Sequence, residues 1–100
     1  MESSLRLDTE GRIRHILMSQ LEIRPSVLAE SSSTTPLLGR GIGLDSMETL
    51  TLVAAIEEEF DIHVNDDELT VDLFKNIATL ADYVLRKAAE RKDADEAWMT

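Results

Sequence analysis

One serine stands where a phosphate group could be held. Ser46 follows Gly43-Leu44-Asp45 and precedes Met47, at the start of a stretch that reads as helix. Free backbone N–H groups and the positive end of the helix dipole favour an anion at such a place. Serine is also an ordinary residue with which to begin a helix, and local physics alone favours that plainer reading of Ser46. Other reactive groups are sparse. His15 and His63 are the only side chains whose ordinary titration lies near neutrality, and neither has a partner legible in sequence; both read as solvated or packed. The run Asp61 to Asp72 partly matches a calcium loop. It has Asp66 where the sixth position needs glycine, His63 at the third and Asp72 rather than glutamate at the twelfth. The expectation is weak attraction of divalent cations and no dedicated metal site.

Catalysis by the chain itself is not expected. Paired carboxylates need a concave pocket to shift their pKa values, and Glu57-Glu58-Glu59 read as a solvated helix face. There is no G-x-S-x-G elbow, no glycine-rich phosphate loop ending in G-K-[ST] and no H-E-x-x-H. The chain has no cysteine, which removes disulfides, thiolate metal sites and a cysteine nucleophile.

Four helical segments must position these residues, and no strand alternation is convincing. The first reads from Asp8 to Glu22, capped by Asp8 or Thr9, with Ile13, Ile16, Leu17 and Leu21 as its buried stripe. Arg12, Arg14, Ser19 and Glu22 stand on its opposite face. A long connection follows from Ile23 to Leu44, interrupted by Pro25, Pro36 and three glycines. Val27, Leu28, Leu37, Leu38 and Ile42 are its candidates for anchoring to a core. The second helix reads from Ser46 to Phe60. Asp45 and Glu48 have the spacing of a capping box. Leu52, Val53, Ile56 and Phe60 form one apolar stripe, and Met47, Leu50 and Ala54 form another. Two stripes fit either a wide core face or one face for the core and one for a partner. Asp66 to Leu69 is at most one short turn. The last helix reads from Asn76, as cap, to Ala89, with Ile77, Leu80, Ala81, Val84 and Leu85 inward. These boundaries give a flexible 1–7, a single domain over 8–90 and a frayed tail over 91–100.

Charge narrows the partners. The chain has 20 acidic and 10 basic residues, a net charge of −10. The surplus lies in residues 44–82, which hold 11 acids and one base, Lys75. Such a surface repels nucleic-acid phosphates and anionic membranes, and favours a basic protein partner. The most apolar stretch, Leu50 to Ile56, is far short of the roughly 20 residues of a membrane span. The N-terminal residues carry no apolar signal-peptide core. With no cysteine, this leads to the expectation of a cytoplasmic protein.

The run Gly43-Leu44-Asp45-Ser46-Met47-Glu48-Thr49-Leu50-Thr51-Leu52-Val53-Ala54-Ala55-Ile56-Glu57-Glu58-Glu59-Phe60-Asp61 resembles the acyl carrier protein family. That family's pattern is Asp-Ser-Leu opening helix two, then an apolar helix ending in Glu-Glu-x-Phe; here Met47 replaces the leucine. Phe74 to Val84 is similar to the family's last helix, and Arg12 to Leu21 to its first. The resemblance implies an all-α four-helix bundle with a short third helix and a long loop between helices one and two. It implies that Ser46 is the attachment site for 4′-phosphopantetheine, transferred from coenzyme A by a phosphopantetheinyl transferase, with Asp45 capping the helix and helping the transferase engage. The reactive sulfur would then reside on the prosthetic group. Met47, Leu50 and Ala54 occupy the family's docking stripe, flanked by Glu48, Glu57 and Glu58. These acids would pair with basic patches on acyl-loading, ketosynthase or acyltransferase-type enzymes. A short acyl chain would insert partly among Leu52, Val53, Ile56, Phe60, Ile77, Leu80 and Val84.

The resemblance further implies a freestanding, monomeric shuttle of acyl thioesters for fatty-acid, polyketide or specialised-metabolite synthesis. Thr51 stands where housekeeping carriers usually have an acid, Ala54 where they have a bulkier apolar residue, and Gly-Ile-Gly-Leu replaces their Leu-Gly-Ala. These departures point to a specialised pathway. The alternatives are an aminoacyl or peptidyl carrier of a nonribosomal pathway, and an unmodified interaction module of the same fold.

Overall fold

A computed structural model describes the backbone of residues 2–99 and the side chains of residues 5–90. It contains four α-helices: α1 (Glu2–Ser19), α2 (Pro25–Glu30), α3 (Ser46–Phe60) and α4 (Ile77–Met99). Two short 3-10 turns, η1 (Asp66–Glu68) and η2 (Val71–Phe74), join α3 to α4. Among the described residues there is no strand, only an isolated parallel bridge between Leu38 and Leu44.

The long helices bury the stripes their periodicity predicts. Ile13 and Leu17 of α1, Leu52 and Ile56 of α3, and Ile77, Leu80 and Val84 of α4 are fully buried together. Removal of this apolar area from water is the main force holding the helices together. The α1–α4 pair is the most extensive helix contact. It explains why α1 begins at Glu2 rather than at the expected Asp8. No glycine or proline interrupts residues 2–8, and Arg6 makes a bidentate pair with Asp82 of α4, at 2.8 and 2.6 Å. Thr9 is consequently a buried interior residue and not a cap. At its other end α1 stops at Ser19. The chain then turns through Glu22 at φ 58°, and the Ile23 N–H donates to the Leu17 carbonyl (2.9 Å).

The long connection is more ordered than its proline and glycine content suggests. Pro25 does not interrupt it but opens α2, where a missing N–H costs nothing. Arg14, expected on the solvated face of α1, is half-buried. Its guanidinium donates to the Leu28 carbonyl (3.1 Å) and the Ser31 hydroxyl (3.0 Å), which ties α1 to the end of α2. Leu28 and Leu37 reach the core, Leu38 and Ile42 pack against it, and Val27 is exposed. The segment before α3 closes on itself: the Ile42 N–H donates to the Pro36 carbonyl (2.8 Å) and the Leu44 N–H to the Leu37 carbonyl (3.0 Å). A Cβ at Gly41 would overlap the Pro36 backbone, so this closure requires glycine there.

α3 spans the predicted residues, and its capping box is complete. The Glu48 N–H donates to Asp45 Oδ1 (2.7 Å), and the Asp45 N–H donates to Glu48 Oε1 (3.1 Å). The short turn expected at Asp66–Leu69 is η1, and a second turn that was not expected, η2, follows it and buries Leu73 and Phe74 against α4. Asn76 caps α4 as expected, with its Oδ1 accepting from the Thr79 N–H (2.8 Å). The backbone of α4 continues past Ala89 to Met99. The side chains of the 91–100 tail lie outside the described residues.

Candidate functional site

Ser46 is the first residue of α3 and is exposed. The capping box decides which N–H groups of the first turn are occupied. The Asp45 carboxylate takes that of Glu48, and the Asp45 carbonyl takes that of Thr49 (2.9 Å). The N–H groups of Ser46 and Met47 have no partner among the described residues, nor does the Ser46 hydroxyl. A nucleophilic oxygen therefore stands free at the positive end of a four-turn helix.

Beside Ser46 opens a groove of about 460 Å³. Ser46, Thr49, Leu50 and Val53 of α3 form one wall, and Leu69, Thr70 and Val71 form the other. Leu38, Leu44 and Phe74 complete it, and its surface is overwhelmingly apolar. The close turn through Gly43, at φ 81°, brings Leu44 into this position just before the cap. Of the residues expected to surround an acyl chain, Val53 alone lines the groove; Phe60 does not line it, and Leu52, Ile56, Ile77, Leu80 and Val84 are packed away from it.

An exposed, largely apolar face of α3 borders the groove mouth. Met47 is 75% exposed and Leu50 60%, and Ala54 and Glu58 continue the same exposed face of α3. Val71, 76% exposed, adds to it from η2. Val71 was not among the residues singled out in sequence. Its signal is the three-residue spacing to Phe74, the 3-10 repeat, hidden in a segment that reads as loop.

The acids divide differently from their sequence order. Glu48 is committed to the capping box. Glu57 is half-buried and turned to the loop after α3, where its Oε2 accepts the Val64 N–H (2.8 Å) and lies 3.3 Å from His63 Nδ1. Glu59 pairs with Arg12 (2.8 Å), whose guanidinium also lies 4.3 Å from the centroid of the Phe60 ring. Asp82 pairs with Arg6, which raises the Arg6 pKa. Glu68 Oε1 accepts from the Asn65 N–H (3.2 Å), Tyr83 Oη (3.0 Å) and Lys87 Nζ (3.1 Å). The Asn65 bond first, then Lys87, hold the Glu68 carboxyl below the usual range. Burial, reinforced by Glu68, pushes the Tyr83 phenol up. Several acids of the 44–82 window thus brace the fold through bases outside it. Of the three glutamates expected beside the stripe, Glu58 alone has no side-chain hydrogen bond or ion pair among the described residues. His15 is exposed on α1, and no group of three or more histidines and acids among the described residues could hold a metal ion.

A family model described as the phosphopantetheine attachment site matches residues 11–84. The chain belongs to that family. No solved structure matches it significantly. The phosphopantetheine-attachment family is defined by covalently attached 4′-phosphopantetheine, and its members are carrier domains served by phosphopantetheinyl transferases and biosynthetic enzymes. The residues here fit that group. A free hydroxyl at a helix N-terminus suits a phosphodiester, and the adjoining groove suits an apolar cargo. No helix among the described residues is long and apolar enough to cross a membrane.

Proposed function

We propose that this chain is an acyl carrier, holding acyl groups as thioesters on a 4′-phosphopantetheine arm attached through Ser46. The supporting observation is the pairing of a free Ser46 hydroxyl with an apolar groove that begins at the same residue. When bound, the arm supplies the thiol that forms the thioester. Ser46 Oγ would supply the nucleophile for attachment: it would bond to the coenzyme A phosphorus that bears the pantetheine, the pyrophosphate bond would break to release adenosine 3′,5′-bisphosphate, and the hydroxyl proton would leave to a base on the transferase. Asp45 fixes the first turn of α3 and so the direction of Ser46.

The groove favours acyl over aminoacyl cargo. An alkyl chain gains about 0.8 kcal/mol per methylene removed from water. An α-ammonium group would lose its hydration there with no carboxylate facing it beyond Asp45 at the mouth. The cargo would lie between α3 and the η1–η2 segment, and not among the fully packed core residues. Met47, Leu50, Ala54, Glu58 and Val71 form the surface that partner enzymes cover when they reach Ser46. Acyl-loading, ketosynthase or acyltransferase-type enzymes are the partners this chemistry calls for, and the chain acts as a cytoplasmic monomer. The departures at Thr51 and Ala54 favour a specialised pathway.

Intact mass decides the central point. Incubation with coenzyme A and a broad-specificity phosphopantetheinyl transferase should add one phosphopantetheine to the wild-type chain and none to Ser46→Ala. No addition to the wild type, or an addition that survives Ser46→Ala, overturns the assignment and leaves an unmodified interaction module. Loading with acyl and aminoacyl thioesters then separates the two kinds of carrier.

A further inference from the structure

The wall of the groove opposite α3 is held from behind. The η1–η2 segment packs on α4 more than on α3. Among the described residues, Glu68 is the one acid of 65–74 with an ion-pair partner. A single oxygen, Oε1, gathers the N–H that begins η1, the Tyr83 phenol and the Lys87 ammonium. Tyr83 is buried, and the Lys87 side chain is only 15% exposed, so the cluster is shielded on its α4 side. Directly after Glu68, the chain forms the groove wall. The Thr70 N–H donates to the Glu68 carbonyl (3.0 Å), and the Leu73 N–H to the Thr70 carbonyl (3.1 Å). Movement of Glu68 is therefore passed to Leu69, Thr70 and Val71.

We infer that Glu68 is a positioning residue for the cargo: through Tyr83 and Lys87 it clamps the Leu69–Val71 wall and sets how well the groove shields an acyl chain. The inference rests on the reading of Ser46 as the attachment point. Glu68 touches neither Ser46 nor the groove. It acts by holding the Leu69–Val71 wall in place opposite α3. A loosened wall admits water to the thioester of a chain that should be covered, but has little effect on a cargo too short to occupy the groove.

The test compares cleavage by hydroxylamine of acetyl and octanoyl thioesters on the loaded protein and on free pantetheine. The wild-type protein should protect octanoyl more than acetyl, relative to the free thioesters. Glu68→Gln should lower that octanoyl-to-acetyl protection ratio about fivefold, because the three bonds gathered on Oε1 lose the charge that strengthens them. Tyr83→Phe and Lys87→Met should lower it less, each removing one donor, and they serve if Glu68→Gln does not fold. Global destabilisation alone would change the melting temperature but not the ratio measured well below it. A ratio unchanged in all folded variants overturns the inference. So does a wild-type ratio equal to that of free pantetheine. Failure of the wild type to gain mass is a different result, and overturns instead the assignment of Ser46.

Discussion

Comparing Asp45→Ala with Asp45→Asn separates the capping done by the geometry of the carboxylate from the transferase contact proposed for its charge. The geometric job is the 2.7 Å bond from the Glu48 N–H to Oδ1. The reciprocal bond, from the residue 45 N–H to Glu48 Oε1, survives in Asp45→Ala because it uses only backbone at that position. The site is exposed, so water takes up part of the loss. Loss of an N-cap acceptor costs about 1 kcal/mol. In a chain of this size that corresponds to a fall in melting temperature of roughly 4–8 °C. Asp45→Asn keeps an acceptor in the same place and should melt within about 2 °C of the wild type, since asparagine caps as well as aspartate. Thermal unfolding by circular dichroism measures both. The rate of phosphopantetheine loading at low transferase concentration measures the role of the charge, and Asp45→Asn should slow it at low salt more than at high salt. Two results refute the reasoning. If Asp45→Ala melts like the wild type, the capping box does not support α3. If Asp45→Asn loads at the wild-type rate at every salt concentration, the charge is not used by the transferase.

Gly41→Ala places a methyl group against the Pro36 backbone and should destabilise the chain by about 1–3 kcal/mol in urea unfolding, because neither backbone segment can yield freely. Glu22→Gly should instead stabilise it by about 0.5–1 kcal/mol, by relieving a left-handed non-glycine residue just past the end of α1. Glu68 is held below the usual carboxylate range by its hydrogen bonds from Asn65 and Lys87, so its contribution is present at neutral pH and is lost as the pH falls below the ordinary glutamate range. Tyr83 titrates above its unfolded value, so the unfolded chain releases its proton first and stability falls as the pH rises beyond about 10; Tyr83→Phe should flatten this alkaline limb of a melting-temperature profile. Glu57→Lys should lower stability, because it removes the acceptor of the Val64 N–H, whereas Glu58→Lys should leave melting unchanged and slow partner turnover; equal effects of the two on turnover, with no change in melting, would contradict the division made here.

The capped start of α3 and its length were legible in sequence because they are set locally. A capping box spans four residues, and the buried stripes of α1, α3 and α4 follow a period of 3.6. The same local reading misplaced Asp8 and Thr9, since the extension of α1 to Glu2 rests on a pairing of Arg6 with a residue of α4. It also put Arg14 in solvent, because α2 was not foreseen behind Pro25. The groove belongs to no segment. Leu38, Leu50, Val71 and Phe74 meet only after α3 and the η1–η2 segment are set side by side, and no periodicity links them. Charge is the clearest case. The sequence by itself determined that residues 44–82 are acidic, which follows from composition alone. Which of those acids are paired within the fold was decided by the tertiary structure. Arg6, Arg12 and Lys87 reach Asp82, Glu59 and Glu68 from far along the chain, and a charge that finds such a partner in the fold is no longer free to attract another protein.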